Sequence, residues 1–188
     1  MTDKNNNTDS ACNSLSWESA SEGGSSFKIK SMHMKDNQVT FKKSTGFVLF
    51  HLPVIIPGLL AFIVGVPFFI IEGILGMVMF MLVFGSILTG LGFYSLLKEK
   101  PFTINLNSGE YYWGSGEKKS SISNIYALQL LSKSICNTSS PYTSFELNLA
   151  LKNGERITVL DHGNYQDVKN SGERLAAILN VLLLCEER

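Results

Sequence analysis

Between Gly46 and Leu97 the chain runs 52 residues with one formal charge, Glu72, and one histidine, His51. A bilayer's hydrocarbon core is about 30 Å thick and takes roughly 20 helical residues to cross, so this run is too long for one span and suits two. Glu72 falls where the two would meet. The pattern therefore predicts a first helix from about Phe47 to Val66, a turn through Pro67 to Gly73, and a second helix from about Ile74 to Leu96. A carboxylate at such a turn sits in the interface or in water, whereas an unpaired charge at membrane depth costs several kcal/mol. His51, the one candidate partner in the run, lies roughly 30 Å away along the first helix, too far to pair with Glu72 inside one hairpin.

Basic residues orient the pair. Lys28, Lys30, Lys35, Lys42 and Lys43 precede it against one acid, Asp36, while Lys98 and Lys100 follow it and the turn has none. The positive-inside rule then puts both termini on the cytoplasmic side and Glu72 on the other. The first 45 residues hold no apolar segment of the signal-peptide kind. Cys12, Cys136 and Cys185 are odd in number and widely separated, which reads as free thiols in a reducing compartment and matches no metal spacing.

Outside the apolar run the composition changes twice. Residues 1–26 are rich in Ser, Asn, Asp and Gly, with Leu15 and Trp17 as the large apolar side chains, and so predict a disordered polar tail. The period then becomes two. FKIK (27–30) and QVTF (38–41), separated by MKDN, predict a juxtamembrane β-hairpin over 27–45. After the apolar run, FTINL (102–106) and EYYW (110–113) flank an NSG turn, and EKK (117–119) leads to SNIYALQLL (123–131). Thr138, Ser139, Ser140 and Pro141 mark an exposed loop. In FELNLALKNGERITVL, Phe145, Leu147, Leu149 and Leu151 point one way, and Asn153-Gly154 is the dipeptide of a type I′ turn leading to Ile157 and Val159. From about Tyr165 to Leu184, Val168, Leu175, Ile178, Leu179 and Leu182 recur at helical spacing, with Asn164 as N-cap and Asp167 in the first turn. Asp167, Lys169, Glu173 and Arg174 make this an amphipathic helix rather than a third span.

Two strands before the apolar run, five after it and one terminal helix resemble the pleckstrin-homology-like (PH-like) fold, two antiparallel sheets forming an open barrel capped by the last helix. The order also resembles that of small bacterial inner-membrane proteins with two transmembrane helices and a PH-like cytoplasmic domain. ELNLALKNGERITVLDHGN with ERLAAIL is similar to their closing hairpin and helix, and SW…GGSSFKIKSMHM to the lead into their first strand. The resemblance implies a membrane α-helical hairpin (46–97) plus an α+β domain (101–188): an antiparallel PH-like β-barrel or sandwich capped by a C-terminal amphipathic helix. The clustered Lys and Arg with which this fold binds lipid headgroups are thin here.

No sequence motif organises chemistry. Asp161-His162-Gly163 is the one adjacent acid-histidine pair, and a His there could exchange protons near neutral pH. Neighbours on a strand face opposite ways, so a turn and capping role is expected instead. Nucleophile-elbow, Walker, zinc-protease and C-x-x-C motifs do not occur, and GEYYWGSGEK follows no phosphate-loop spacing. Formal net charge is zero, which gives no reason to expect nucleic acid. The expectation is a membrane-anchored interaction or scaffolding module of the cytoplasmic (inner) membrane, with no catalytic, cofactor or metal residues, whose partners are the lipid bilayer and a membrane or cytoplasmic protein. Gly85/Thr89 and Ser86/Gly90, four apart, would admit close helix approach in a homo-oligomer. The alternatives are a subunit of a small oligomeric channel or transporter, for which His51 and Thr89 are the available polar residues, and a toxin-immunity or stress-accessory membrane protein.

Overall fold

The structure, a computed structural model, describes residues 16–20, 24–98, 100–114, 119–135 and 141–185. Cys12, Cys136, Glu117, Lys118 and the loop positions Thr138, Ser139 and Ser140 lie outside the described residues. Cys185 is a free, exposed thiol. The chain divides into two compact units, one joining the chain up to Lys42 with the chain from Phe102, the other Lys43–Pro101.

In the first unit, β1 (Lys30–Lys35) and β2 (Gln38–Lys43) are joined by Asp36 and Asn37, both at positive φ, the backbone that a two-residue type I′ turn requires. β2 pairs antiparallel with β3 (Phe102–Asn105), Val39 opposite Ile104 and Phe41 opposite Phe102. β4 (Glu110–Trp113) and the short β5 (Ser120–Ser121) complete a sheet in the order β1-β2-β3-β4-β5. The second sheet runs β8-β7-β6-β9, from β6 (Ile125–Ile135), β7 (Tyr142–Leu151), β8 (Arg156–His162) and β9 (Leu182–Cys185). One core joins them: Val39, Phe41, Phe102, Ile104 and Tyr111 of the first sheet pack with Leu128, Leu147, Leu149 and Leu160 of the second.

Three expectations change. The β7–β8 turn is not type I′: among its residues Gly154 alone has positive φ, the Gly154 amide donates to the Leu151 carbonyl, and the Leu151 amide donates to the Glu155 carbonyl. This is a type I turn closed by a glycine bulge, which leaves Asn153 free to accept the Glu155 amide on its side chain. The terminal helix, α4 (Tyr165–Leu179), begins as expected at Asn164, whose side chain accepts the Asp167 amide, but stops five residues short of Leu184. Asn180 turns left-handed at φ 53°, and the chain re-emerges as β9, parallel to β6. Covering the open edge of β6 outweighs another helical turn, because unpaired sheet edges are costly. There are thus nine strands rather than seven among the described residues, one pair of them parallel, in an α+β unit whose two sheets do not close into a barrel.

The second unit is a helical hairpin. α1 (Thr45–Leu60) is capped by Ser44, which accepts the Phe47 amide, and continues through a π-helical turn (Ala61–Gly65) into α2 (Val66–Ile71); α3 (Leu75–Lys98) returns. The first helix runs past Val66, and Pro67 lies inside it instead of in the turn. Pro67 has no N–H to continue the ladder, and the π turn just before it takes up the misfit, the Val66 amide reaching back five residues to the Ala61 carbonyl. Both stretches, 27 and 24 residues, are long and apolar enough to cross a membrane. Glu72 caps the end of α2 and is exposed. His51 Nδ1 donates to the Phe47 carbonyl (2.8 Å), and Nε2 shares a hydrogen bond with the Ser95 hydroxyl (2.7 Å), so the ring bridges the two helices. Gly85 and Thr89 face Gly58, where a Cβ would lie 2.4 Å from Thr89 Oγ1; this close approach is within the hairpin, while Ser86 and Gly90 are exposed.

Phe41 is fully buried at the β2–β3 pairing, whereas Met34 on β1 is 57% exposed. Phe41→Ala should therefore lower the stability of the strand-bearing unit by about 3–5 kcal/mol and Met34→Ala should leave it nearly unchanged, measured as thermal unfolding of the full chain in detergent.

Candidate functional site

Strand β7 alternates Phe145, Leu147 and Leu149 on the core side with Ser144, Glu146 and Asn148 on the other. Side chains of a half-exposed sheet follow this pattern, and the outer set would ordinarily meet water. Here that set is buried. Ser144, Glu146 and Asn148 have no exposed surface, nor has Gln129 on the neighbouring β6, and Lys133 is 9% exposed. What covers them includes the N-terminal segment, whose polar composition read as a disordered tail: residues 16–20 and 24–26 lie against this face and hydrogen-bond to it.

The centre is an ion network. Lys133 Nζ donates to Glu146 Oε2 (2.9 Å) and to Asp161 Oδ2 (2.5 Å). Register explains the meeting: Lys133 is opposite Ser144 across β6 and β7, and Glu146 opposite Asp161 across β7 and β8, so the three project from one face of adjacent strands. Among the described residues Glu146 accepts from Lys133, Asn148 Nδ2 (2.7 Å), Thr158 Oγ1 (3.1 Å), Ser19 Oγ (2.8 Å) and the Ala20 amide (3.0 Å). Asp161 accepts from Lys133, the Ser25 amide and the Ser144 hydroxyl. Burial alone would lower the Lys133 pKa, but its hydrogen bonds to Asp161 and Glu146, with their charges, outweigh that and raise it above the usual lysine value. The ammonium is thus held charged at neutral pH, and its contribution to stability fades only as strongly alkaline pH passes through that raised value.

The N-terminal segment meets this face mainly through its main chain. Gln129 Nε2 donates to the Ser16 carbonyl (3.0 Å), and Arg156 Nη1 to the carbonyls of Ser16 (2.9 Å) and Glu18 (2.5 Å). Further along, the Tyr142 hydroxyl donates to the Gly24 carbonyl (2.7 Å) and Ser144 Oγ to that of Ser25 (3.1 Å). The contact is close: a Cβ on Gly24 would lie 2.8 Å from that of Ser144, and one on Gly163 only 2.5 Å from the Ser26 carbonyl. Trp17 remains 39% exposed. Asn148 Oδ1 is buried without a hydrogen-bond partner among the described residues.

The Asp161-His162-Gly163 stretch thus does more than turn the chain. Asp161 holds the lysine, Gly163 makes room for Ser26, and His162, on the core side of β8 opposite Phe145, is buried. Its Nδ1 accepts the Asn164 amide (3.2 Å), which leaves the proton of the neutral ring on Nε2, where it has no partner among the described residues. Burial, then Lys28, push its pKa below the ordinary histidine value against the opposing pull of Asp167 and Asp161. Sequence reasoning reached Asp161 and His162 but missed Gln129, Lys133, Glu146 and Arg156. The available signal was the recurrence of polar residues at period two on one face of three adjacent strands. No group of three His, Cys, Asp or Glu side chains among the described residues could hold a metal.

Away from this face, a concavity of about 630 Å³ is lined by residues that include Tyr111, Trp113, Lys119, Leu151, Lys152 and Ile157. Neither protein-family models, nor curated proteins, nor solved structures give a match to this chain.

Two outcomes follow from the buried charges. Lys133→Met leaves two carboxylates without their cation and should destabilise the chain by about 3–5 kcal/mol, since breaking a buried ion pair costs that much; Lys133→Arg should cost less, read as the shift in unfolding midpoint. His162 is kept neutral in the fold but takes a proton near pH 6.5 when unfolded, so its protonation favours unfolding. Stability should hold above about pH 6.5 and fall as pH drops through the depressed folded value, and His162→Gln should flatten that part of a melting-temperature profile.

Proposed function

We propose that this chain is a membrane-anchored interaction module that works by binding rather than catalysis. The two apolar helices hold it in the cytoplasmic membrane of a bacterial cell, with both termini in the cytoplasm, and the α+β unit is a PH-like domain presented there to a protein partner. The observation that carries this reading is the polar face of β6, β7 and β8, where the charged groups are committed to hydrogen bonds that hold a segment of chain. Groups so engaged recognise: Glu146 and Asp161 take up the lysine, the strand hydroxyls and the segment's own donors.

Supporting the membrane assignment is the lysine bias flanking the helices, with the exposed Glu72 at the turn between them. A channel reading would need polar groups along a path, and His51 is already bonded to Phe47 and Ser95 within the hairpin. The partner is sought with a photoreactive amino acid at Trp17 in intact cells, where a discrete crosslinked protein is expected; ion flux through proteoliposomes of the purified chain, with no crosslink, would favour the channel instead.

The topology has its own measurement. In a chain whose native cysteines are serine, Glu72→Cys should react with an impermeant thiol reagent added to whole cells and Glu155→Cys should not. Reversed labelling would overturn the orientation.

A further inference from the structure

Resting on that reading, we infer that the polar face of β6, β7 and β8 is a groove for a peptide, and that residues 16–20 and 24–26 are its resident occupant, displaced when a partner's peptide takes their place. Three features of the face point to this. Its contacts with the segment are made largely to main-chain atoms: the carbonyls of Ser16, Glu18, Gly24 and Ser25 and the amides of Ala20 and Ser25. Main-chain groups are common to every peptide, so a different segment along the same path meets the same donors and acceptors. Second, the segment is held by polar contacts, and its large aromatic, Trp17, stays 39% exposed, so release does not strip apolar surface from the core. Third, Asn148 Oδ1, fully buried in the middle of the face, has no hydrogen-bond partner among the described residues. An incoming peptide with an N–H or hydroxyl there gains a bond that the resident segment does not supply.

The groove also states what it accepts. Where Gly24 passes Ser144 and Lys133 there is no space for a Cβ, so the peptide carries glycine at that point. Five residues earlier, Ser19 donates its hydroxyl to Glu146, so a serine or threonine is favoured there and an acidic side chain is excluded by the buried carboxylate. The ligand class is a glycine- and hydroxyl-containing peptide without a carboxylate over Glu146.

The test uses the chain in lipid nanodiscs and a fluorescein-labelled synthetic peptide, LSWESASEGGSSFK, the sequence of residues 15–28. A chain lacking residues 2–25 should bind it saturably and the full chain at least tenfold more weakly, because its own segment competes. The peptide carrying Gly24→Val, or the shortened chain carrying Glu146→Ala, should reduce binding at least tenfold. Should the shortened chain fail to fold, the full chain with Gly24→Val replaces it, its clashing segment being expected to yield to the wild-type peptide. Absence of peptide binding in the folded shortened chain or its replacement, equal binding by the full chain, or indifference to Gly24→Val overturns the groove. A crosslinked partner that persists after such a result leaves the interaction-module reading standing without it.

Discussion

The Lys133 ammonium, shared between Glu146 and Asp161 on the outer face of the second sheet, sets the terms for everything that lies over it. Three charged groups cannot be buried on a sheet face unless each is matched and the remaining lone pairs are filled. The adjacent strands supply part of that need through Ser144, Asn148 and Thr158, and the N-terminal segment supplies the rest through Ser19, Ala20 and Ser25. An apolar cover would leave these groups unsatisfied. The same network that makes the face unusual therefore calls for a polar cover with free main-chain groups, and a serine- and glycine-rich segment meets that requirement where a helix or a hydrophobic strand would not.

A second constraint ties the parts of the chain together. β2 ends at Lys43 and β3 begins at Phe102, yet the two are hydrogen-bonded neighbours with Val39, Phe41, Phe102 and Ile104 buried at their pairing. The helical hairpin is thus an insertion in a connection between adjacent strands. Within the hairpin, the close approach at Gly58, Gly85 and Thr89 and the His51–Ser95 bond hold α1 against α3. A first helix carrying Pro53, Pro57 and Pro67 stays continuous because a π turn takes up the misfit ahead of Pro67.

The placement of His162 follows from the same architecture. β8 presents Asp161 to the polar face and His162 to the core, so one strand end serves two environments one residue apart. The acid accepts a hydrogen bond from a lysine, and the imidazole is held neutral by burial. Adjacent in sequence, they cannot act as a pair, since alternation along the strand turns them to opposite sides of the sheet.

By itself the sequence determined what depends on local pattern. Fifty-two residues with one charge require two helices of membrane length; period-two runs require strands; Asn164 and Asp167 start the last helix where they stand. These are settled by neighbours within a few positions, so a linear reading reaches them. Tertiary structure alone decided the rest. Leu182 fits a helical stripe equally well, and only the open edge of β6 made it a strand. Glu146 and Asn148 alternate with leucines as solvent-facing residues do, and their burial comes in part from residues 16–20 and 24–26, which return over that face from more than a hundred positions away along the chain. Periodicity tells which residues share a face. What covers the face depends on a segment whose affinity for it lies in main-chain groups that every residue carries, and side-chain identity does not announce that.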